Sequence, residues 1–349
     1  MEKPITLALG TTTEQMKALY FASTQLHEPA YRLWQLNARG ERFYYTIDAE
    51  GNPVFFPSVT TILRNVMPEN KFLTEWKLSM GKEEALAYTM ERANYGSMVH
   101  GFLASLMISR RYNLDTLRDD IAKYVEREKL PEGFIDAHED EAKADIIAFA
   151  KWMKEYDVRP YAVEVSLYSP SMGYAGMIDL VCNMREFSFE DEKKAIEKAD
   201  GDEKKLAKIA EKFSSRLDAI VDFKSGKKGF YDEYAIQLEL YRMMWNENFP
   251  DKPIGRIFNI APKDWTKTSG KKPSYSFEEQ TDNAVLVKIP ALLELHRVSS
   301  QDEKKVVVMN GTIDLDNETS NVSVYTLREL VKENHKEEAQ DETPLIFNE

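Results

Sequence analysis

The chain has 349 residues, 43% of them hydrophobic and 30% charged, with a formal net charge of −13. That is enough for one large decorated domain or two modest ones, and no apolar run is long enough to cross a bilayer. The acidic balance argues against indiscriminate nucleic-acid binding, so contact with a polyphosphate needs a local basic groove. The single cysteine, Cys182, excludes an intramolecular disulfide and a cysteine-ligated cluster. The N-terminus lacks the basic-then-apolar pattern of a signal peptide, and a cytoplasmic protein with no membrane association is expected.

In chain order, residues 42–56 read as a hairpin: Phe43 to Ile47 and Val54 to Phe56 flank a turn-rich connection. Ser58 is placed to cap a short helix that ends before Pro68. A helical region follows over 71–108, interrupted near Asn94, Tyr95 and Gly96, and then two more helices near 114–129 and 135–156. Tyr161, Val163, Val165 and Leu167 alternate with Ala162, Glu164, Ser166 and Tyr168 as a strand, and 176–182 and 217–223 are the next two strands. Between them, 185–216 is rich in Glu, Lys and Ala and reads as a solvated helix at the tip of a hairpin. A helix over 232–246, a strand over 254–261 and a helix over 283–298 complete the core, which spans about 54–300. Residues 1–53 form an N-terminal extension with the hairpin. Residues 301–333 suggest an accessory hairpin and a helix opened by a capping box at Thr326 and Glu329. The acidic tail, 334–349, reads as disordered, with docking of Leu345, Ile346 and Phe347 on a protein partner as the alternative. This order predicts an α/β fold: a central mixed sheet flanked by helices, an N-terminal helical region and a helical insertion between two strands.

The chemistry concentrates in those strands. Asp179, Asp222 and Lys224 interrupt runs that are otherwise apolar, and Gln237 and Tyr241 follow one helical turn apart. Charges on buried strands require compensation, and converging carboxylates are compensated most readily by a divalent metal ion. Asp222 and Lys224 share a strand face, and if the strands pair as a hairpin Asp179 and Asp222 reach one ion. Hard oxygen ligands, including the Phe223 carbonyl, select Mg²⁺ or Mn²⁺. Such a site suits phosphodiester hydrolysis, with Lys224 offsetting charge or, if desolvated, acting as base. Glu164, one strand earlier, is a direct or water-mediated ligand, and Gln237 and Tyr241 steady Lys224 or contact the backbone of DNA. By itself His100 reads as a core histidine. No phosphate loop, zinc spacing or nucleophilic-serine elbow occurs.

Gly176 with Asp179, Asp222 with Lys224, Gln237 with Tyr241 and, upstream, Gly96 with His100 together resemble the motifs of the RecB-like branch of the PD-(D/E)XK nucleases, in order. The run from Pro57 to Leu63 is similar to the opening of the mitochondrial genome maintenance exonucleases and related phage exonucleases. The resemblance covers about 55–262. It implies a restriction-endonuclease-like core and a Mg²⁺-dependent DNA exonuclease acting on single strands or free ends, in replication, recombination or DNA processing. Mn²⁺ is expected to substitute, and the setting is a bacterial cytoplasm or phage-infected host. It implies metal roles for His100, Asp179 and Asp222, a catalytic role for Lys224, and support from Glu164 and Gln237. The iron–sulfur cluster of many relatives is excluded by the lone cysteine. The expected DNA-contacting set is Trp76, Lys77, Arg92, Tyr95, Ser58, Lys227 and Lys228. A second basic stretch comprises Lys263, Lys267, Lys271 and Lys272 with Trp265. The rival readings are a structure-specific endonuclease on the same fold and a non-catalytic nucleic-acid-binding or assembly protein.

Overall fold

The computed structural model describes residues 13–29, 31–38, 41–68, 71–225, 232–263, 265–299, 305–309, 322–329 and 331–332. Six strands form the central sheet, in the spatial order Tyr275–Glu279, Arg256–Pro262, Arg216–Phe223, Tyr174–Arg185, Arg159–Ser169 and Tyr20–Phe21. Neighbours run antiparallel, except that Arg216–Phe223 and Arg256–Pro262 are parallel. A parallel pair needs a crossover, and the helix Asp232–Asn248 supplies it. The fold is therefore mixed α/β, with a central mixed sheet flanked by helices.

Each face of the sheet has its own helical layer. On one face the helices Lys82–Ser109, Leu117–Glu128 and Gly133–Glu155 pack Met98, Leu103, Phe149 and Trp152 against Val163, Leu180, Val221 and Phe258. On the other, Val59–Val66, Asp232–Asn248 and Ile289–Ser299 pack Ile62, Ile236, Leu240 and Trp245 against Ile178, Val181, Ile220 and Ile257. Cover on both sides explains why these strands are apolar runs rather than alternating ones. The alternation over 161–168 is accordingly not an inside–outside pattern: Ala162, Glu164 and Ser166 are buried along with Val163 and Val165.

The helical boundaries differ from expectation in three places. The break in the 71–108 region falls at Gly81, not near Gly96: Lys71–Met80 ends there and Lys82–Ser109 is continuous. Gly81 sits at φ 91°, where a side chain would be strained. Gly96 lies inside the helix, where an added Cβ would meet the Ser225 Oγ at 3.0 Å, so that glycine permits close approach to the end of a core strand. The charged insertion is two helices, Phe189–Ala199 and Glu203–Phe213, because Asp200 and Gly201 both take left-handed backbone between them. The helix expected over 283–298 is likewise split, into Asn283–Leu286 and Ile289–Ser299.

The hairpin near the N-terminus is half of a second sheet, Thr13–Met16, Leu33–Ala38, Glu41–Ile47 and Pro53–Pro57. One face lays Leu33, Tyr44 and Phe56 on Ala175 and Tyr168 of the central sheet's hairpin. The other face buries Leu36 and Tyr45 under Leu327 and Val331 from the C-terminal segment. That segment contains the antiparallel pair Lys305–Met309 and Val322–Thr326. Its capping box is formed: the Thr326 N–H donates to Glu329 at 2.7 Å and the Glu329 N–H donates back to the Thr326 hydroxyl at 3.2 Å. The acidic tail, 334–349, lies outside the described residues.

Candidate metal centre

The central strands carry a polar row across one level of the sheet. Val163 pairs with Leu180 and Val165 with Ile178, which sets Glu164 opposite Asp179. Leu180 pairs with Val221, so Asp179 and Asp222 are each one step beyond the end of that ladder. Asp222 in turn pairs with Asn259 across the parallel strands. Where the ladder stops, the Asp179 carboxylate replaces a backbone acceptor: the Phe223 N–H donates to its Oδ2 at 2.8 Å. Glu164, Asp179 and Asp222 are 8%, 7% and 3% exposed, so three acids on three adjacent strands are withdrawn from water.

The helix Lys82–Ser109 brings His100 onto this row. Its Nδ1 lies 3.8 Å from the Glu164 Oε1 and 3.6 Å from the Asp179 Oδ1. One ligand atom each from His100, Glu164 and Asp179 fall within 4.8 Å of one another. The Glu164 Oε1 is buried and accepts no hydrogen bond, an orphan that a cation would satisfy. Glu164 also holds φ at 51°, a left-handed conformation unusual for a non-glycine residue and common where structure serves a site. One imidazole nitrogen and two carboxylates form a donor set that suits Mg²⁺ or Mn²⁺, with Mn²⁺ the more tolerant of nitrogen.

Asp222 is not part of that three-residue group. It receives Lys224 Nζ at 2.7 Å and Asn259 Nδ2 at 2.9 Å on its Oδ2, and Gln237 Nε2 at 3.4 Å on its Oδ1. Lys224 also donates to the Gln237 Oε1 at 2.9 Å, and the Gln237 Nε2 donates to the Tyr241 hydroxyl at 3.1 Å. Lys224 lies over the Tyr234 ring, 4.2 Å from its centroid. The residues read from the sequence as catalytic thus converge as two linked groups, His100–Glu164–Asp179 and Asp222–Lys224–Gln237–Tyr241. Gly176 makes room for the second: a Cβ there would stand 2.7 Å from the Tyr241 Cε1.

Electrostatics tie the two together. Burial pulls the His100 imidazole down, but Asp179, Glu164 and Asp222 outweigh it and push it up to about 9. Burial raises the Asp179 carboxyl well above the usual carboxylate range, against the lowering by His100, with Asp222 and Glu164 raising it further. Burial opposes the charge on Lys224, yet Asp222 beside it holds its ammonium above its ordinary value. The surplus of negative charge at one point is what a cation site requires.

The expected DNA-contacting residues fare less uniformly. Tyr95 is fully buried and donates to Asp145 at 2.6 Å, so it has no face for a base. Arg92 forks onto Glu141 at 3.0 and 3.1 Å and reaches the Ser225 carbonyl at 3.3 Å, bracing the residue that follows Lys224. Ser58 is 4% exposed and its hydroxyl accepts from the Thr61 N–H at 3.0 Å, which makes it a helix cap rather than a phosphate contact. Trp76 and Lys77 are half-buried on Lys71–Met80, with Trp76 edge-on to Tyr88 at 5.3 Å. Lys227 and Lys228 lie outside the described residues. In the second basic stretch Lys267 pairs with Asp140 at 2.6 Å. A small cleft adjoins the cluster, lined in part by His100, Leu103, Asp145, Phe223, Lys224 and Tyr275. Asn259 and Tyr234 were not singled out in the sequence. Asn259, a polar residue between Phe258 and Ile260, carried the same signal that exposed Asp179 and Asp222.

Comparison with protein-family models and with curated proteins finds no match to this chain.

Proposed function

We propose that the protein is a metal-dependent deoxyribonuclease with a restriction-endonuclease-like core of the PD-(D/E)XK type, an exonuclease acting on single-stranded or free DNA ends. The observation that carries this reading is the His100–Glu164–Asp179 cluster, in which the buried Glu164 Oε1 accepts no hydrogen bond, set beside a lysine that is held charged. His100, Glu164 and Asp179 would hold the cation, with Asp222 and the Phe223 carbonyl as the remaining candidates on the adjoining strand. When bound, Mg²⁺ or Mn²⁺ supplies Lewis-acid polarisation of the phosphate and acidifies water.

The chain's own residues do the rest. Asp222 keeps Lys224 protonated, which favours the ammonium as a fixed positive charge facing the developing phosphorane charge over its use as a base. Gln237 fixes the direction of that ammonium through its Oε1, and its Nε2 is in turn anchored on Asp222 and Tyr241. Asn259 donates to the same Asp222 Oδ2 that Lys224 contacts, and so helps to hold that carboxylate. Arg92 secures the Ser225 carbonyl, so the backbone just past Lys224 is pinned to the helix that carries His100.

End-labelled linear DNA and circular single-stranded DNA, each digested in Mg²⁺, Mn²⁺ or EDTA, test the reading. Linear DNA should be degraded with either metal and spared in EDTA, and circles should survive. Cut circles would instead establish an endonuclease. Lys224→Ala should lower cleavage at least about a thousandfold with DNA binding nearly intact, and unchanged cleavage would remove Lys224 from the chemistry.

A further inference from the structure

One wall of the cleft beside the metal centre continues into a lysine-rich loop. The parallel strands Arg216–Phe223 and Arg256–Pro262 pair Phe223 with Ile260 and so end side by side. The Lys224 N–H donates to the Ile260 carbonyl at 2.9 Å, which carries the pairing one residue further. The first strand then leads to Ser225. The second leads into a loop that starts at Lys263 and returns to the sheet at Tyr275, the partner of Pro262. Pro262 and Tyr275, at the base of this loop, line the cleft together with His100 and Lys224.

The loop has a defined shape and a defined seat. The Lys263 N–H donates to the Ser274 carbonyl at 2.9 Å, and the Trp265 indole N–H donates to the Lys271 carbonyl at 2.8 Å. These bonds close the two arms over a single helical turn, Lys267–Ser269. Two side chains tie the loop to the helix Gly133–Glu155: Lys267 meets Asp140 at 2.6 Å, and the Tyr275 hydroxyl donates to Glu155. Asp140 and Glu155 are about 22 Å apart along the helix axis at its rise per residue. Asp145, Ala148 and Phe149 lie between these anchor points and line the cleft. The loop and the metal centre therefore open on the same space.

Charge gives the loop its meaning. Over 263–272 the sequence has four lysines and one aspartate, on a chain of net charge −13. Lys267 is used in the seat, whereas Lys263, Lys271 and Lys272 are exposed. At the centre itself Lys224 stands 2.7 Å from Asp222, and Arg92 stands 3.0 Å from Glu141. A polyanion approaching Glu164, Asp179 and Asp222 thus needs positive charge from beside the cluster. A lysine ammonium is a compact charge on a flexible stem, which suits a grip on phosphates at varied positions.

We infer that this loop is the clamp for the substrate strand: Lys263, Lys271 and Lys272 bind backbone phosphates of a single-stranded polynucleotide at the mouth of the cleft, and the Lys267–Asp140 pair keeps the loop seated. The inference rests on the nuclease reading for the identity of the strand. Phosphate contacts carry no base information, so the clamp is blind to sequence.

The test measures fluorescence anisotropy of labelled single-stranded oligonucleotides of two unrelated sequences in EDTA over a salt series, with the full chain. Changing Lys263, Lys271 and Lys272 together to Gln should weaken binding at least about tenfold for both sequences and reduce the salt slope by about 2, three single-strand phosphate contacts at about 0.7 each. Changing the same three to Arg should keep most of the affinity. Changing Lys204, Lys205 and Lys208 together to Gln removes equal charge from exposed positions on the insertion and should leave binding as in the wild type. With Mg²⁺, the Gln variant of the loop should raise KM at least about tenfold and change kcat by less than about threefold. Wild-type binding by that variant, or an equal loss in the insertion variant, overturns the inference and leaves the nuclease reading standing. A wild type that binds the oligonucleotides but never cuts them overturns the nuclease reading alone, and one that neither binds nor cuts overturns both. If the wild type cuts without measurable binding in EDTA, the KM of the same variants decides: an unchanged KM in the loop variant overturns the inference.

Discussion

Glu164 and His100 show how much one residue is shaped by its neighbours. Glu164 holds left-handed backbone, and the His100 imidazole is pushed up because Asp179, Glu164 and Asp222 surround it. The consequence is a pH dependence with a definite sign. The folded His100 is pushed up to about 9 from its ordinary 6.5, so the native state holds a proton that the unfolded chain releases first. That stabilisation is complete below about pH 6.5 and is lost as pH rises through about 9. Asp179, also raised, acts in the same direction at lower pH. Calorimetry in EDTA should show melting temperature falling across this range, and Mn²⁺ should remove most of the fall because a ligating imidazole is neutral. A His100→Gln variant with the wild-type slope in EDTA would refute the assignment. Gly176 gives a second test at this scale. Gly176→Ala drives a methyl to 2.7 Å from the Tyr241 ring, and overpacking of this kind costs about 1–3 kcal/mol. Denaturant unfolding should register that loss, and kcat should fall with it because Tyr241 anchors Gln237.

At the scale of elements, the strands that carry the acids are joined at one end by the charged insertion. Asn183, Met184 and Arg185 still pair with Asp218, Leu217 and Arg216 below it. Its two helices pack chiefly on each other and through Arg185, which meets Glu192 at 2.6 Å and lies over the Phe189 ring. Replacing 187–214 by a short turn should therefore leave the strand pair in register and the metal centre formed. The expected outcome is a folded variant with kcat within about threefold of wild type, since nothing in the insertion touches the clustered side chains and distant sites act independently. Loss of metal binding in that variant would show that the insertion shapes the site. The continuous helix Lys82–Ser109 makes the opposite point. It carries Arg92, Gly96 and His100 on neighbouring turns, so a kink near Gly96 would separate the Ser225 brace from the metal ligand.

At the scale of the whole molecule, the two ends of the described chain meet. Leu327 and Val331 cover the face of the second sheet that presents Leu36 and Tyr45, and the opposite face of that sheet leans on the central hairpin through Tyr44 and Phe56. The C-terminal segment thus supports the metal centre from two layers away. Leu327→Ala opens a cavity in a small core and should cost about 2–4 kcal/mol, read as a shift of the denaturant midpoint for the whole domain. A separate early transition in that variant, with the central sheet unaffected, would mean that the second sheet unfolds on its own and carries no load for the site. Among the described residues no helix is long and apolar enough to cross a membrane.

Residue types and order were legible in the chain without coordinates. Apolar runs broken by Asp179, Asp222 and Lys224 marked strands that had to bring charges together, because a buried charge without a partner is too unfavourable to persist. The mixed sheet with helices on both sides followed from the same runs. Which acid sits with which partner was decided only by tertiary structure. Glu164 joins His100 and Asp179, and Asp222 is taken by Lys224, Gln237 and Asn259, because strand register and the point where a ladder ends are set by packing between distant segments. Tyr95, Arg92 and Ser58 have the same composition in a binding surface as in a scaffold, and only burial separates the two. Periodicity along a chain encodes which face a side chain takes, whereas the distance between two faces depends on everything packed between them.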